Sequence, residues 1–73
     1  MQATTQEWTN EEETEFATMI TMRGGRCLVA FDDGDIYGPV SEREARREMR
    51  RLFGAGAKPI GEAVAGEVWI PLG

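Results

Sequence analysis

Residue types that commonly carry catalysis are scarce in this sequence. It contains one cysteine, Cys27, and no histidine, so a thiol nucleophile would lack its usual imidazole base. Ser41 stands three residues before Glu44, which is the spacing of a helix capping box and explains the serine without a reaction. The glycines match neither a dinucleotide-binding fingerprint nor a Walker loop. We therefore expect a protein without enzymatic activity and without a cofactor.

Carboxylates are the more distinctive groups. The chain carries 13 acidic and 8 basic residues, for a formal net charge of −5. The acidic residues concentrate in EWTNEEETE (7–15) and in DDGD (32–35). Oxygen ligands on a tight turn suit calcium, but DDGD lacks the ligand spacing of an EF-hand loop. The sequence predicts a solvated turn there and no metal site.

Length and composition limit the class of protein. A chain of 73 residues allows one small domain, and 41% hydrophobic with 29% charged residues is typical of a globular chain. No apolar run approaches the ~20 residues of a membrane span, and no secretory leader is visible. A lone cysteine fits a reducing compartment. These observations predict a cytoplasmic protein.

Two glycine-containing breaks divide the centre of the chain into three strands. Residues 14–22 alternate as a strand does, and Gly24-Gly25 then allows a tight hairpin into a second apolar run over 26–32. Asp33-Gly34 leads into a third run over 35–40. The prediction is an antiparallel three-stranded meander.

The two turns predict the register of this meander, because Arg23 then pairs with Arg26 and Asp32 with Asp35. One face is almost wholly apolar in that register. Its predicted members are Phe16, Ile20, Met22, Cys27, Val29, Phe31, Ile36 and Val40. An exposed sheet edge or the second face is an alternative functional surface, a homodimer interface. Its large residues are Met19, Leu28 and Tyr37.

A single helix follows the meander. Ser41 caps SEREARREMRRLF (41–53), and Gly54 is placed to end it. The apolar stripe suited to covering the meander consists of Ala45, Met49, Leu52 and Phe53. After a loop over 54–59, the sequence of 62–72 predicts one long bent strand or a short hairpin, with Pro71 at its edge or end. The fold class is therefore α+β, with the element order βββαβ.

The N-terminal segment is predicted to be less regular. Residues 1–6 are polar and lack periodicity, which indicates fraying. Asn10 and Glu13 have capping-box spacing, so a short helix competes with coil near residues 11–14. We expect an acidic, partly flexible segment over 1–13 and a single α+β domain over 14–73.

The predicted register brings both acidic segments to one end of the sheet. An array of carboxylates can dock on arginines and lysines that otherwise hold phosphates, whereas the simpler interpretation is solubility. The candidate partner-binding residues are Glu11, Glu12, Glu13, Glu15, Asp32, Asp33 and Asp35, with Trp8 as an aromatic anchor. The expected partner of this monomer or homodimer is a basic protein surface.

The helix offers an alternative, basic surface. It consists of Arg43, Arg46, Arg47, Arg50 and Arg51. Such a helix can follow a nucleic-acid backbone. However, Glu42, Glu44 and Glu48 each precede an arginine at helical spacing, as on an ordinary solvated face, and no aromatic platform accompanies them. Nucleic-acid binding is therefore a second hypothesis, behind protein binding.

In gross features the chain resembles the small anti-CRISPR proteins of phages and mobile elements. The resemblance rests on the acidic run EWTNEEETE, the DDGD turn, the small single domain and the lack of a catalytic set. It implies an inhibitor in the bacterial host cytoplasm that binds a CRISPR effector subunit or its basic nucleic-acid channel, and so blocks target DNA.

Overall fold

The computed structural model describes residues 1–69, which form five strands and one helix. The strands are β1 (Gln2–Thr9), β2 (Phe16–Met22), β3 (Arg26–Phe31), β4 (Ile36–Ser41) and β5 (Lys58–Glu67), and helix α1 (Glu42–Phe53) follows β4. All neighbouring strands pair antiparallel, in the order β4-β3-β2-β1-β5. The predicted α+β class, the meander of β2, β3 and β4, and the helix after it are confirmed.

The prediction of an irregular N-terminal segment was wrong. Gln2–Thr9 forms β1, which pairs with β2 on one side and with β5 on the other. Its sequence QATTQEWT is polar, but threonine and tryptophan favour strands and two paired neighbours satisfy the backbone on both sides. The folded domain therefore includes these residues and does not begin at residue 14.

The link between β1 and β2 is a turn and not a helix. Asn10 is buried, and its Oδ1 accepts hydrogen bonds from the backbone N–H groups of Thr14 at 2.8 Å and Glu15 at 3.1 Å. Glu13 adopts a positive φ of 57° within this turn. The asparagine side chain thus organises the turn as a local substitute for backbone hydrogen bonds.

The predicted register between β2 and β3 was wrong by one residue. Cys27 lies opposite Thr21, not Met22. The turn includes Arg23 as well as the two glycines, and the backbone N–H of Gly25 donates to the Met22 carbonyl at 3.0 Å. A shift of one residue moves every β2 side chain to the opposite face of the sheet.

The predicted register between β3 and β4 was right at one end only. Cys27 lies opposite Val40 as predicted, but Val29 lies opposite Tyr37 because the register shifts between these two pairs. Gly38 stands at this irregularity with φ +116°, and a Cβ built on it would lie 2.5 Å from the Cys27 carbonyl oxygen. Because glycine has no side chain, Gly38 allows the backbones of β3 and β4 to approach each other closely here.

These registers give the sheet two different apolar faces. The covered face, which packs against α1, has a buried core of Trp8, Ala17, Met19, Cys27 and Val29, joined by Ala45 and Met49 of the helix. The opposite face, called the open face because α1 does not pack on it, has a second buried cluster of Ala3, Ile20 and Leu28, bordered by Met22, Ala30, Ile36 and Val68. Met19 and Tyr37 were thus wrongly predicted on the second face, and Ile20, Met22 and Ile36 wrongly predicted beneath the helix.

Helix α1 begins and ends as its sequence predicts. The Ser41 hydroxyl accepts from the Glu44 backbone N–H at 3.2 Å, and the Gly54 N–H donates to the Arg50 carbonyl at 2.8 Å. The helix packs on β3 and β4. Leu52 was expected in the buried stripe but is 46% exposed.

No helix within residues 1–69 is long and apolar enough to span a membrane.

Strand β5 is one edge of the sheet and begins earlier than predicted, at Lys58. Its register with β1 slips opposite Gln6, whose Nε2 donates to the carbonyls of Ile60 at 2.9 Å and Gly61 at 3.1 Å. The side-chain amide therefore satisfies backbone groups where strand pairing is irregular. Pro71, predicted to mark the strand's edge or end, lies outside the described residues.

Replacing Gly38 by alanine should destabilise the fold strongly. The new Cβ would meet the Cys27 carbonyl at 2.5 Å in a backbone conformation that favours glycine. We expect the free energy of unfolding, measured by urea denaturation, to fall by about 3 kcal/mol. Gly66→Ala is the control, because that position has open space and no positive φ. Equal stability of both variants would contradict this account of β3–β4 pairing.

Candidate functional site

A groove of about 590 Å³ lies where the β1–β2 turn and the β3–β4 turn approach the C-terminal half of α1. Its lining carries five carboxylates and one guanidinium. The carboxylates belong to Glu15, Asp32, Asp33, Asp35 and Glu48, and the guanidinium to Arg51. The remaining wall is largely apolar, so the groove combines negative charge with hydrophobic surface.

Aromatic packing between the sheet and the helix forms the apolar wall. Phe31 ends β3 and Phe53 ends α1, and their rings meet edge to face with centroids 6.0 Å apart at 87°. Both are half-buried, and Phe16, Tyr37 and Leu52 line the groove beside them. The exposed Leu52 and the half-buried rings provide apolar surface that a partner side chain can cover.

The aspartates are held by the tight turn between β3 and β4. The Phe31 carbonyl accepts from the Gly34 N–H at 3.0 Å, and the Phe31 N–H donates to the Asp35 carbonyl at 2.8 Å. Asp33 Oδ1 accepts from the Asp35 backbone N–H at 2.9 Å. Within residues 1–69, no cationic side chain lies within 4.0 Å of the Asp32, Asp33 or Asp35 carboxylates. Their charge therefore faces solvent without a partner.

Glu48 differs from these aspartates because Arg51 neutralises it. Arg51 Nε and one terminal nitrogen donate to the two Glu48 oxygens at 2.8 and 2.7 Å. This bidentate pair holds the pKa of Glu48 below its usual range and raises that of Arg51. The net negative charge of the groove therefore comes from Glu15 and the aspartate turn.

Tyr37 is influenced by the carboxylates of the helix. Its hydroxyl lies 3.4 Å from Glu44 Oε2. Loss of solvent around the phenol raises the pKa of Tyr37 most, and the negative charges of Glu44 and Glu48 raise it further, while Arg51 opposes them. The phenol stays protonated at neutral pH and can donate a hydrogen bond at the groove wall.

The predicted acidic rim divides into two sets. Glu15 lines the groove with the aspartate turn, whereas Glu11, Glu12 and Glu13 are exposed and do not line it. Glu13 Oε2 lies 3.7 Å from Lys58 Nζ at the start of β5. Glu13 and, beside Gly56, Glu11 therefore lie toward the α1–β5 link and outside the groove.

Trp8 was predicted as an exposed anchor, and the structure corrects this. The residue is 2% exposed, because it lies on the covered face in one core with Ala45 and Met49 of the helix. The Arg46 guanidinium carbon lies 5.3 Å from the centroid of its ring. Trp8 therefore contributes to stability by burial and a cation–π contact and is not available to a partner.

The arginines of α1 are largely engaged with acidic neighbours. Three ion pairs occur at the spacings predicted from the sequence: Arg46 with Glu42 at 3.4 Å, Arg47 with Glu44 at 3.5 Å, and Arg51 with Glu48 at 2.7 Å. Within residues 1–69, Arg43 and Arg50 have no acidic partner within 4.0 Å. The alternative basic surface is therefore mostly a set of exposed ion pairs.

Sequence reasoning missed Glu48, Tyr37 and the aromatic wall as parts of the site. The spacing of Glu48 and Arg51 indicates an ion pair, but it does not show which side of the helix faces the aspartate turn.

Cys27 is fully buried and free, as its predicted position beneath the helix implied. Within residues 1–69, no group of three or more acidic or cysteine side chains is arranged to hold a metal ion.

No protein-family model, curated protein or solved structure matches this chain. The aspartate turn has no cationic side chain within 4.0 Å in residues 1–69 and lies beside half-buried aromatic rings and the exposed Leu52. Such a site can bind a surface that presents both cationic and apolar side chains.

Titration of Tyr37 will test the electrostatics of the groove. Because it is the only tyrosine, its phenolate absorbance near 295 nm reports one group. Glu44 raises the pKa of Tyr37, so Glu44→Gln should move the midpoint toward lower pH. Glu12→Gln, an exposed substitution outside the groove lining, should leave it unchanged. An identical midpoint for wild type and Glu44→Gln would refute the coupling.

Proposed function

We propose that this protein is a non-enzymatic, acidic binding protein that docks on the basic surface of a nucleic-acid-handling protein and inhibits it. The observation that carries the proposal is the groove, in which Glu15 and the aspartate turn lie beside apolar groups and no cationic side chain of residues 1–69 comes within 4.0 Å of the aspartate carboxylates. A partner with arginines or lysines supplies the missing charges. Those same cations would otherwise hold phosphates.

The combination of charge and apolar surface supports a protein partner more than a simple cation. Exposed carboxylates speed and orient association, while most binding energy comes from buried apolar and aromatic contacts. Leu52 is 46% exposed, and Phe53 is half-buried beside it. Covering them gives the complex a desolvated centre, with the aspartate turn as its charged rim.

A more specific identity follows from the resemblance to anti-CRISPR proteins. On that hypothesis the basic partner is a CRISPR effector, and the aspartate turn occupies cationic sites that would receive target DNA. The protein is then expected to compete with labelled duplex DNA for an effector complex. If effector complexes retain their DNA at saturating protein, this identity is wrong, although another basic partner remains compatible with the groove.

Two triple variants with the same change of charge will test the groove. Asp32→Asn/Asp33→Asn/Asp35→Asn removes the groove charges, and asparagine keeps the acceptor that Asp33 provides to the turn. We expect its affinity for a fluorescein-labelled peptide of alternating arginine and phenylalanine, measured by anisotropy, to fall roughly tenfold, at about 0.5 kcal/mol per charge.

The control is Glu11→Gln/Glu12→Gln/Glu13→Gln, which loses three charges outside the groove. It should lose much less affinity, and a peptide of alternating arginine and serine should bind wild type more weakly. Equal losses for the two triple variants would show that overall acidity, rather than the groove, determines binding.

A gel shift of duplex DNA by the protein alone at low salt would instead favour nucleic-acid binding through the arginines of α1.

A second candidate function is self-association through the open face. Ile20 and Leu28 are already buried on this face, so its exposed apolar surface is at Val64, which shares Thr5 as a pairing partner with Ile20 and is 62% exposed. Two copies facing each other would cover this surface, with identical residues contributed by both.

Sedimentation equilibrium will test self-association. If the open face forms a dimer, Val64→Lys should raise the dimer dissociation constant at least about tenfold, because it places a charge in an apolar interface. Ala65→Lys is the matched control, since the neighbouring side chain lies on the other side of β5. A wild-type protein that is monomeric at every concentration would exclude this function.

A further inference from the structure

Strand β5 ends the sheet on one side, and alternate backbone groups along it point away from β1. Val68, directly after β5, donates its N–H to the Met1 carbonyl at 2.7 Å and accepts from the Met1 amine at 3.1 Å. Bonding alternates along an antiparallel strand, so Gly66 and Val64 also turn toward β1. The residues whose N–H and carbonyl groups face outward are Ala63, Ala65 and Glu67.

The other edge strand, β4, does not offer such a ladder. Pro39 lies within it and has no backbone N–H, and its carbonyl already accepts from Arg26 at 2.9 Å. The pairing of β4 with β3 is also irregular beside Gly38. Proline and irregular pairing commonly protect an edge strand. In β5 the only proline, Pro59, lies near the start, so residues 62–67 are open to a further strand.

On the covered face, the free edge of β5 presents small side chains. Val64 is on the open face, so its exposed neighbours Ala63 and Ala65 are on the covered face. Ala63 lines a cavity of about 200 Å³ that is formed by β1, β2, β5 and the start of α1. The two ionised residues of its lining, Glu42 and Arg46, pair with each other at 3.4 Å. Its apolar lining residues are Trp8, Met19, Pro59 and Ala63.

This cavity favours an aliphatic side chain on an added strand. Residues directly opposite each other in a sheet have Cβ atoms about 5 Å apart. A residue opposite Ala63 therefore lies next to the cavity, and because Ala63 is small, a longer side chain can extend over it. Since the ionised residues of the lining already balance each other, an uncharged apolar group such as leucine suits the cavity best.

On the open face, the same edge presents one carboxylate and one apolar group. Glu62 and Val64 are both exposed. Within residues 1–69, no cationic side chain lies within 4.0 Å of the Glu62 carboxylate. An arginine or lysine beside Glu62 complements this charge, and a β-branched residue beside Val64 covers its side chain.

A second copy of β5 fits this edge less well than a different sequence does. In an antiparallel pair, outward-facing residues of one strand meet outward-facing residues of the other. Within residues 62–67 these are two alanines and Glu67, so Ala63 would meet an alanine or a glutamate of the second copy. Neither supplies the aliphatic side chain that the cavity beside Ala63 accommodates.

We propose that the free edge of β5 binds an extended segment of another protein by β-strand addition. The segment pairs antiparallel with residues 62–67, with an aliphatic side chain beside Ala63 and a cationic side chain beside Glu62. Its backbone pairs with the outward groups of Ala63, Ala65 and Glu67. This surface goes beyond the proposed inhibitory groove, because no residue of β5 lines that groove.

The peptide acetyl-Lys-Thr-Val-Val-Leu-Arg-amide tests the proposal, because its six residues lie in order opposite residues 67 to 62. Titrated into ¹⁵N-labelled protein, it should bind saturably and slow the hydrogen exchange of the Ala63, Ala65 and Glu67 amides. The Val64 and Gly66 amides should change little, since they already face β1. Replacing the peptide leucine by alanine should weaken binding at least about fivefold, whereas replacing its threonine by alanine should not.

Backbone N-methylation distinguishes strand addition from other binding. Methyl groups on the third and fifth peptide nitrogens remove two N–H groups that face β5, which should weaken binding at least about tenfold. Methyl groups on the second and fourth nitrogens, which face away from β5, provide the matched control. That control peptide should bind as tightly as the unmodified one.

Ala65→Pro makes the corresponding change in the protein. It removes an outward N–H and leaves the bonds between β5 and β1 in place, so peptide affinity should fall about tenfold, whereas Ala65→Val should bind as wild type does. If Ala65→Pro does not fold, as judged by its amide spectrum, Glu62→Lys replaces it. That variant should bind the peptide about fivefold more weakly and should prefer a peptide with glutamate in place of the arginine.

Several results would overturn the proposal. They are the absence of saturable binding, amide changes that do not alternate along β5, and equal affinities for the two methylated peptides. Slower exchange of the same amides as the protein alone is concentrated would show that a second copy occupies the edge. The variant Asp32→Asn/Asp33→Asn/Asp35→Asn should bind the peptide as wild type does. Loss of binding in it would place the peptide in the acidic groove instead.

Discussion

The pairing of β2 with β3 is the constraint on which the rest of the structure depends. Because the Gly25 N–H donates to the Met22 carbonyl, Met19 lies opposite Val29 and both are buried under α1. The same pairing sends Ile20 to the open face. One turn thus decides which apolar residues the helix covers and which are left for the other side.

The single helix packs mainly on two of the five strands, and a cavity lies near each of its ends. Helix α1 packs mainly on β3 and β4, while its Ala45 and Met49 join Trp8 of β1 and Met19 of β2 in one core. At the start of the helix, Arg46 lies over Trp8, and both residues line a cavity of about 200 Å³. At its end, Phe53 meets Phe31 and leaves the acidic groove. The chemistry of each cavity reflects the turn or strands beside it.

Charge is distributed by the same architecture. The glutamates of α1 are paired with arginines of the same helix. This pairing reduces the positive charge that the helix presents to an anionic partner. The aspartates lie in the turn between β3 and β4, and no arginine or lysine stands three or four residues away from them as on the helix. Their charge therefore projects from the end of the sheet, and the acidic character of the molecule is expressed mainly in the groove and the β1–β2 turn.

The sequence by itself determined the elements whose signals are local. Ser41 and Gly54 fix the ends of α1, Ala45 and Met49 mark its buried side, and glycine turns mark the meander, because these signals depend on neighbouring residues alone. Only the tertiary structure decided the place of β1, whose polar sequence becomes a strand through pairing on both sides, and the faces of β2, which one extra turn residue reverses. Burial of Trp8 and assembly of the groove from three separate segments depend on those long-range pairings, which no local pattern records.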